Sequence, residues 1–271
     1  MVVWIILGVF LLVGLPLLFY FPQRHYVFSP TYYPNRSWFR EHTDRYRLHR
    51  LQVAPAVEIE GITYEPDQPV LTILYFGGKE QDSVGLVQKL SSEYPQVRWV
   101  AFNYRGYGES RGRPTEKNIL ADSLIAYGWT VRHYENVGLL GYSLGSSVAS
   151  YVASRREPKW VILVAPFDSV RALVREKAFF VPELFIRYKF DTADFVEKIT
   201  APVFVYNSSD DEIVAPRHVA RLRRHIHCLA AMKEFSGYGH DTLLFSASLK
   251  KELEKIVQGT PQCNINSEDL S

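Results

Sequence analysis

Apolar and polar positions fall into two kinds of block along this chain. Short runs rich in Val, Ile, Leu and aromatic residues recur near 45–53, 57–64, 70–76, 97–104, 137–142, 159–164, 201–206 and 231–236, with the length of strands. Between them, segments near 83–94, 115–132, 144–155, 216–226 and 242–257 carry apolar residues at helical spacing. Strands alternating with helices predict an α/β protein with a mostly parallel sheet of about eight strands, covered on both faces. Ligands then bind at the carboxyl ends of the strands. Residues 170–199 are the only room for a lid, and they hold Phe179, Phe180, Val181, Leu184, Phe185 and Ile186 among Arg171, Arg175, Arg187 and Lys189. We read this segment as a helix packing its apolar face on the sheet. The other reading is an apolar wall for an acyl chain, with the basic residues meeting anionic head groups.

The first 22 residues follow neither pattern. They contain no charged side chain and are built from Val, Ile, Leu, Phe, Trp and Gly. About 20 such residues span a bilayer. A cleaved signal peptide would need a basic start and small residues near a cleavage site, whereas this run ends Phe-Tyr-Phe-Pro. It is therefore read as an uncleaved transmembrane anchor, with Tyr20, Phe21 and Tyr26 at the interface. Arg24, Arg36, Arg40, Arg45, Arg47 and Arg50 follow it, with Glu41 and Asp44 among them. The positive-inside rule then places the folded domain on the cytoplasmic side of a single-pass membrane protein. The resulting organisation is an anchor over 1–22, a Tyr- and Pro-rich juxtamembrane segment over 23–44, one folded domain over 45–257, and a polar, disordered tail over 258–271.

Composition narrows the function classes. What remains after the anchor is enough for one domain with a full core. The net charge is +2, and no basic stripe interleaved with aromatics is present, so nucleic acid is not an expected partner. The two cysteines, Cys228 and Cys263, show no metal spacing and no evident disulfide framework, so neither a metal site nor a strongly oxidising compartment is implied. No Gly-rich phosphate loop appears, and no cofactor is expected.

The chemistry lies in Gly141-Tyr142-Ser143-Leu144-Gly145, a G-x-S-x-G pentapeptide between an apolar strand (Val137, Leu139, Leu140) and a helical run of small and β-branched residues. That context suits a nucleophile on a sharp strand-to-helix turn, and it nominates Ser143. The backbone N–H of Leu144, at the start of the helix, points where an oxyanion would form. A serine needs a base. His240, in Ser-Gly-Tyr-Gly-His-Asp, has loop context on both sides, whereas His42, His49, His133, His225 and His227 do not. The acid that orients this histidine should lie between Ser143 and His240 in the chain. Asp211, ahead of Glu-Ile-Val and the helix-opening Pro216, is favoured over Asp210, which suits an Asx turn. Asp168, after the preceding strand, is a third option. Arg105 and Asp168 are otherwise read as residues that fix loops.

These blocks carry a resemblance. With Leu-Tyr-Phe-Gly-Gly at 74–78, Phe-Asn-Tyr-Arg-Gly-Tyr-Gly-Glu-Ser-Arg-Gly-Arg-Pro at 102–114, Ala-Pro-Phe-Asp-Ser at 165–169 and Gly-Tyr-Gly-His at 237–240, the chain resembles the α/β-hydrolase superfamily. The likeness is to its small-lid branch of membrane-anchored Bem46-like and serine-aminopeptidase-like hydrolases. In that family the acid lies nine residues after the proline that opens its strand, which from Pro202 gives Asp211. The family's usual His-Gly-Asn reads Gly77-Gly78-Lys79 here, and the resemblance assigns the first oxyanion N–H to Lys79. The acid loop's usual His-Gly reads Asn207-Ser208.

The implied activity is that of a serine hydrolase cleaving carboxylic esters or thioesters through a Ser143–Asp211–His240 triad and an acyl-enzyme. Membrane anchoring suggests a lipid-like substrate. The alternatives are a peptidase releasing N-terminal residues, which needs an acidic pocket for the substrate amine, and a catalytically silent binding scaffold.

Overall fold

The computed structural model describes residues 23–177 and 181–259, together with Trp4, Tyr20 and Cys263. Its centre is an eight-stranded sheet in the order β1-β2-β4-β3-β5-β6-β7-β8. The strands are β1 (Tyr46–Ala54), β2 (Val57–Tyr64), β3 (Leu71–Phe76), β4 (Val97–Phe102), β5 (Val137–Tyr142), β6 (Val161–Val164), β7 (Val203–Ser208) and β8 (Leu229–Phe235). β1 and β2 form an antiparallel hairpin, β2 pairs antiparallel with β4, and every pairing from β4 to β8 is parallel. β5, β6 and β7 are buried along their whole length, which is why their sequences are continuous apolar runs rather than alternating ones.

Alternation appears instead in which layer each side chain joins. Leu74, Phe76 and Leu139 pack on one face with α4 (Glu116–His133), α5 (Leu144–Ala153) and α8 (Pro216–Arg223). Ile73, Tyr75 and Leu140 pack on the other with α3 (Ser83–Glu93) and α10 (Ala247–Gln258). The chain leaves β3 for β4 on one side and reaches β5 on the other, so the strand order switches at β3. The loops after β3 and β5 therefore diverge and leave a crevice at the carboxyl edge.

Three sequence expectations change. The helix expected over 242–257 is split into α9 (His240–Leu243) and α10, because the Ser246 side chain caps α10 by accepting from Leu249 N–H at 3.1 Å. Cys228, at the entrance to β8, is disulfide-bonded to Cys263, so the cysteines do form a crosslink that their spacing did not announce. Arg36, Arg40, Arg45 and Arg50 belong to the folded domain rather than to a free basic flank, pairing with Glu60 and Asp82, with Glu109, with Asp67 and with Glu109.

The anchor expected over 1–22 lies outside the described residues apart from Trp4 and Tyr20, as does most of the 258–271 tail. Among the described residues no helix is long and apolar enough to cross a membrane. The juxtamembrane stretch contributes two short helices, α1 (Gln23–Val27) and α2 (Arg36–Glu41).

Candidate active site

Ser143 sits between the last residue of β5 and the first of α5, with φ 52° and ψ −118°, a left-handed conformation for a non-glycine residue. Holding it there costs about 1–3 kcal/mol. The flanking glycines make the turn possible. A Cβ at Gly141 would meet the Gly145 carbonyl oxygen at 2.2 Å, and one at Gly145 would meet the Phe76 oxygen at 1.9 Å. Ser143 N–H donates to the Val164 carbonyl at 2.9 Å, fixing the elbow to β6.

His240 comes from the loop after β8 and opens α9. Its Nε2 lies 2.9 Å from Ser143 Oγ and its Nδ1 lies 2.7 Å from Asp211 Oδ2. All three residues are under a tenth exposed. The other Asp211 oxygen accepts from the N–H groups of Ile213 and Val214 at 2.9 and 2.7 Å, so the carboxylate is held from both sides. Asp210 faces elsewhere and accepts from Gly237 N–H at 2.6 Å, as a turn residue does. Asp168 pairs with His218 instead, at 2.7 Å. Of the three candidate acids, the structure brings only Asp211 to His240. Arg105 holds Asp122 through two bonds of 2.6 and 2.7 Å and stays out of the site.

Two residues that the sequence reading passed over hold the histidine backbone. Glu212 accepts from His240 N–H at 3.0 Å, and Tyr142 donates its hydroxyl to the His240 carbonyl at 2.7 Å. Burial, reinforced by the nearby carboxylates of Asp241 and Asp211, pushes the Tyr142 phenol well above its ordinary value, so it remains a donor at any working pH. Tyr142 is the variable second residue of the pentapeptide, and nothing in the motif marks it.

The expected oxyanion donors come from two elements. Leu144 N–H opens α5 beside Ser143, and Lys79 lies in the loop after β3 on the wall of the same cavity. That loop is tied at several points. Gln81 Oε1 accepts from Gly78 N–H at 2.9 Å and from the Tyr75 hydroxyl at 2.5 Å. The Lys79 carbonyl accepts from Tyr107 Oη at 2.6 Å and Ser29 N–H at 3.1 Å. Below it Asp82 caps α3 and accepts from Arg36, which also grips Glu60, and all three are almost fully buried. Burial alone would raise the Glu60 carboxyl, but Arg36 and the donors around it outweigh that and hold it below its ordinary value. Gln81 thus does part of the bracing in a loop that departs from the family's usual His-Gly-Asn.

Ser143 and His240 line a cavity of about 590 Å³. One wall is apolar. It is built from Phe167 and, on α6 (Val170–Lys177), from Val170, Leu173 and Val174, with Tyr26 and Val27 of α1 also lining the cavity. The sequence favoured this segment as a helix packed on the sheet, and the apolar residues of α6 do meet the core while also lining the cavity. Val181, Leu184, Phe185 and Ile186, named for the other reading, are not among the residues that line it. Phe179 and Phe180 lie outside the described residues. Among the described residues no cluster of side chains is arranged to hold a metal ion.

This fold agrees with comparisons to known proteins. The chain superposes on an esterase of Pyrococcus furiosus with a TM-score of 0.66 at 18% identity, covering 86% of this chain and 97% of that one. An α/β hydrolase of Vibrio vulnificus gives a TM-score of 0.68 at 17% identity, covering 83% and 86%. In sequence it is 28% identical to the lysophosphatidylserine lipase ABHD12 of Danio rerio over 77% of this chain and 59% of that protein. It is 31% identical to the human α/β hydrolase domain-containing protein 17C over 58% of this chain and 48% of that protein. The chain is similar in sequence to α/β hydrolase domain proteins and shares the α/β-hydrolase fold. It spans only about half to three-fifths of the length of these two relatives. No family model matches it. Within an α/β hydrolase, a serine on the elbow, a histidine within proton-transfer distance and a buried carboxylate behind it are arranged for acyl transfer.

Proposed function

We propose that this α/β hydrolase is a membrane-anchored serine hydrolase that cleaves carboxylic esters or thioesters of lipid-like acyl groups. The observation that carries the reading is the hydrogen-bonded line from Ser143 through His240 to Asp211, set beside an apolar-walled cavity. In this reading His240 Nε2 takes the Ser143 proton as Oγ attacks the carbonyl carbon. Asp211 keeps the other ring nitrogen protonated and stabilises the imidazolium. The N–H groups of Leu144 and Lys79 receive the negative charge that develops on the carbonyl oxygen. His240 then protonates the leaving alcohol or thiol, and water releases the acyl group by the same path in reverse. The lipase relative and the apolar wall of α6 support an acyl chain as the group bound.

The uncharged run 1–22 supports an anchor. Its orientation rests on two opposed signals. The arginine count favoured the cytoplasmic side, but most of those arginines are engaged in ion pairs of the domain. The Cys228–Cys263 bond belongs to an oxidising compartment, and we read the domain as facing one. Protease accessibility in intact cells tests this, and protection by the cell membrane would favour the cytoplasmic side.

A peptidase reading has one supporting feature, the carboxylates of Glu80 and Asp241 on the cavity wall, although Lys79 lies 3.2 Å from Glu80 and occupies it. The deciting comparison is hydrolysis of esters of rising acyl length against aminoacyl amides. Rates that climb with acyl length on esters support the proposal, whereas preference for aminoacyl amides, or for the shortest esters, contradicts it.

A further inference from the structure

The cavity has a rim that its chemistry does not require. α1 starts immediately after the uncharged run, and its Gln23 is buried and bonded to the lid segment at two points. Gln23 Nε2 donates to the Phe185 carbonyl at 2.5 Å, and Arg187 N–H donates to Gln23 Oε1 at 2.8 Å. The point where the chain leaves the apolar run is thereby fixed against the turn Glu183–Phe185. Four residues along from Gln23, Val27 lines the cavity that holds Ser143, and so does Tyr26.

The outer side of this junction is apolar where water would otherwise be its neighbour. Leu184 is 88% exposed at the tip of the turn, and Tyr26 is 66% exposed while its inner face borders the cavity. Arg24 lies on α1, and the Arg187 guanidinium lies over the rings of Tyr188 and Tyr20 at 5.2 and 5.8 Å. Leucine and tyrosine at a tip, with arginines near them that can meet lipid phosphates, are suited to the boundary between acyl chains and head groups. A leucine this exposed gains nothing from the fold, whereas insertion into a bilayer would bury it.

We propose that α1 and the 183–187 turn form a lip that rests in the bilayer surface, with Leu184 inserted. The ester then passes from the membrane to Ser143 without crossing water. This proposal rests on the anchored reading given above. It adds where the membrane meets the domain, and it makes the cavity mouth face the lipid.

The test uses the full chain in vesicles of phosphatidylcholine and phosphatidylglycerol, part of the phosphatidylcholine carrying a doxyl quencher on its acyl chain. Leu184→Cys is labelled with nitrobenzoxadiazole, and the two native cysteines are bonded to each other and do not compete. Val70→Cys is the control, since Val70 is exposed just before β3, at the opposite end of the strands from the site. The lip predicts strong quenching at position 184 and none at 70. Equal quenching, or none at 184, overturns it. This readout needs no catalysis, so it stands or falls apart from the hydrolase reading. With activity, Leu184→Glu should slow a long-chain ester held in the vesicle about tenfold and leave a water-soluble acetate ester unchanged. Equal loss on both, or on neither, counts against the lip.

Discussion

Two histidines in this molecule are bonded to aspartates in the same way, and only one of them faces a nucleophile. His240 Nδ1 lies 2.7 Å from Asp211, and His218 Nδ1 lies 2.7 Å from Asp168. Both rings are buried. The difference is at the other nitrogen. His240 Nε2 meets the Ser143 hydroxyl at 2.9 Å. His218 Nε2 lies 3.0 Å from the Glu176 carboxylate instead. Arg221 completes this second cluster by pairing with Asp168 at 3.0 Å. A ring between two carboxylates has no neutral partner to deprotonate. It joins α8 to α6 and to the loop after β6, and so holds the wall of the cavity rather than reacting in it. A His–Asp pair is therefore no sign of a catalytic site until its third partner is known.

The carboxylates record the same contrast. Burial would raise Asp168, but its bond to His218, the His218 charge and the Ser169 N–H outweigh that and hold it below its ordinary value. Glu176 is held down to about 2, first by its bond to Arg217 and then, against burial, by His218.

The most direct way to break the comparison is to remove each ring. His240→Asn should lower ester hydrolysis by about 10⁴-fold or more, while His218→Asn keeps the rate within about tenfold, both read from steady-state kinetics. Comparable losses would mean that the second pair takes part in the chemistry. Asp211→Asn should cost about 10⁴ in kcat by disturbing the tautomer of His240. Asp168→Asn and Asp210→Asn should leave kcat near wild type.

The second pair should matter to stability instead. His218→Ala removes the buried partner that Asp168 and Glu176 share and should lower unfolding free energy by about 1–3 kcal/mol, measured by urea denaturation. The smallest effect is acid-dependent. The Glu176 carboxyl has a folded value of about 2 against an ordinary 4.5. Its contribution is fully present above 4.5 and is lost as pH falls through 2. Because the ion pair is solvent-exposed, the stability gap between wild type and Glu176→Gln should be about 0.5 kcal/mol or less near neutrality. It should shrink toward zero as pH falls from 4.5 to 2, and a gap that widens on acidification would contradict the assignment.

The fold was legible because the central strands are buried on both faces and read as unbroken apolar runs. All eight strands fall where the pattern put them, with no end shifted by more than two residues. Ser143, Asp211 and His240 were legible for a different reason, since each follows a strand and has turn-forming neighbours. Gln81, Glu212 and Tyr142 were not, because their roles depend on loops from distant parts of the chain arriving together. His218 was hidden in the basic helix Pro-Arg-His-Val-Ala-Arg-Leu-Arg, whose composition suggests a surface, yet it is fully buried. The Cys228–Cys263 bond was hidden by a separation of 35 residues with no framework around it.

The central claim is that the Ser143 hydroxyl is activated through His240 and not merely exposed on a turn. Labelling the full chain with a fluorophosphonate and mapping the adduct by mass spectrometry tests it most directly. The account predicts one adduct, on Ser143, that forms at a near-normal rate in His218→Asn and is lost in Ser143→Ala and His240→Asn. A folded wild type that forms no adduct, or an adduct that forms equally fast without His240, would contradict it.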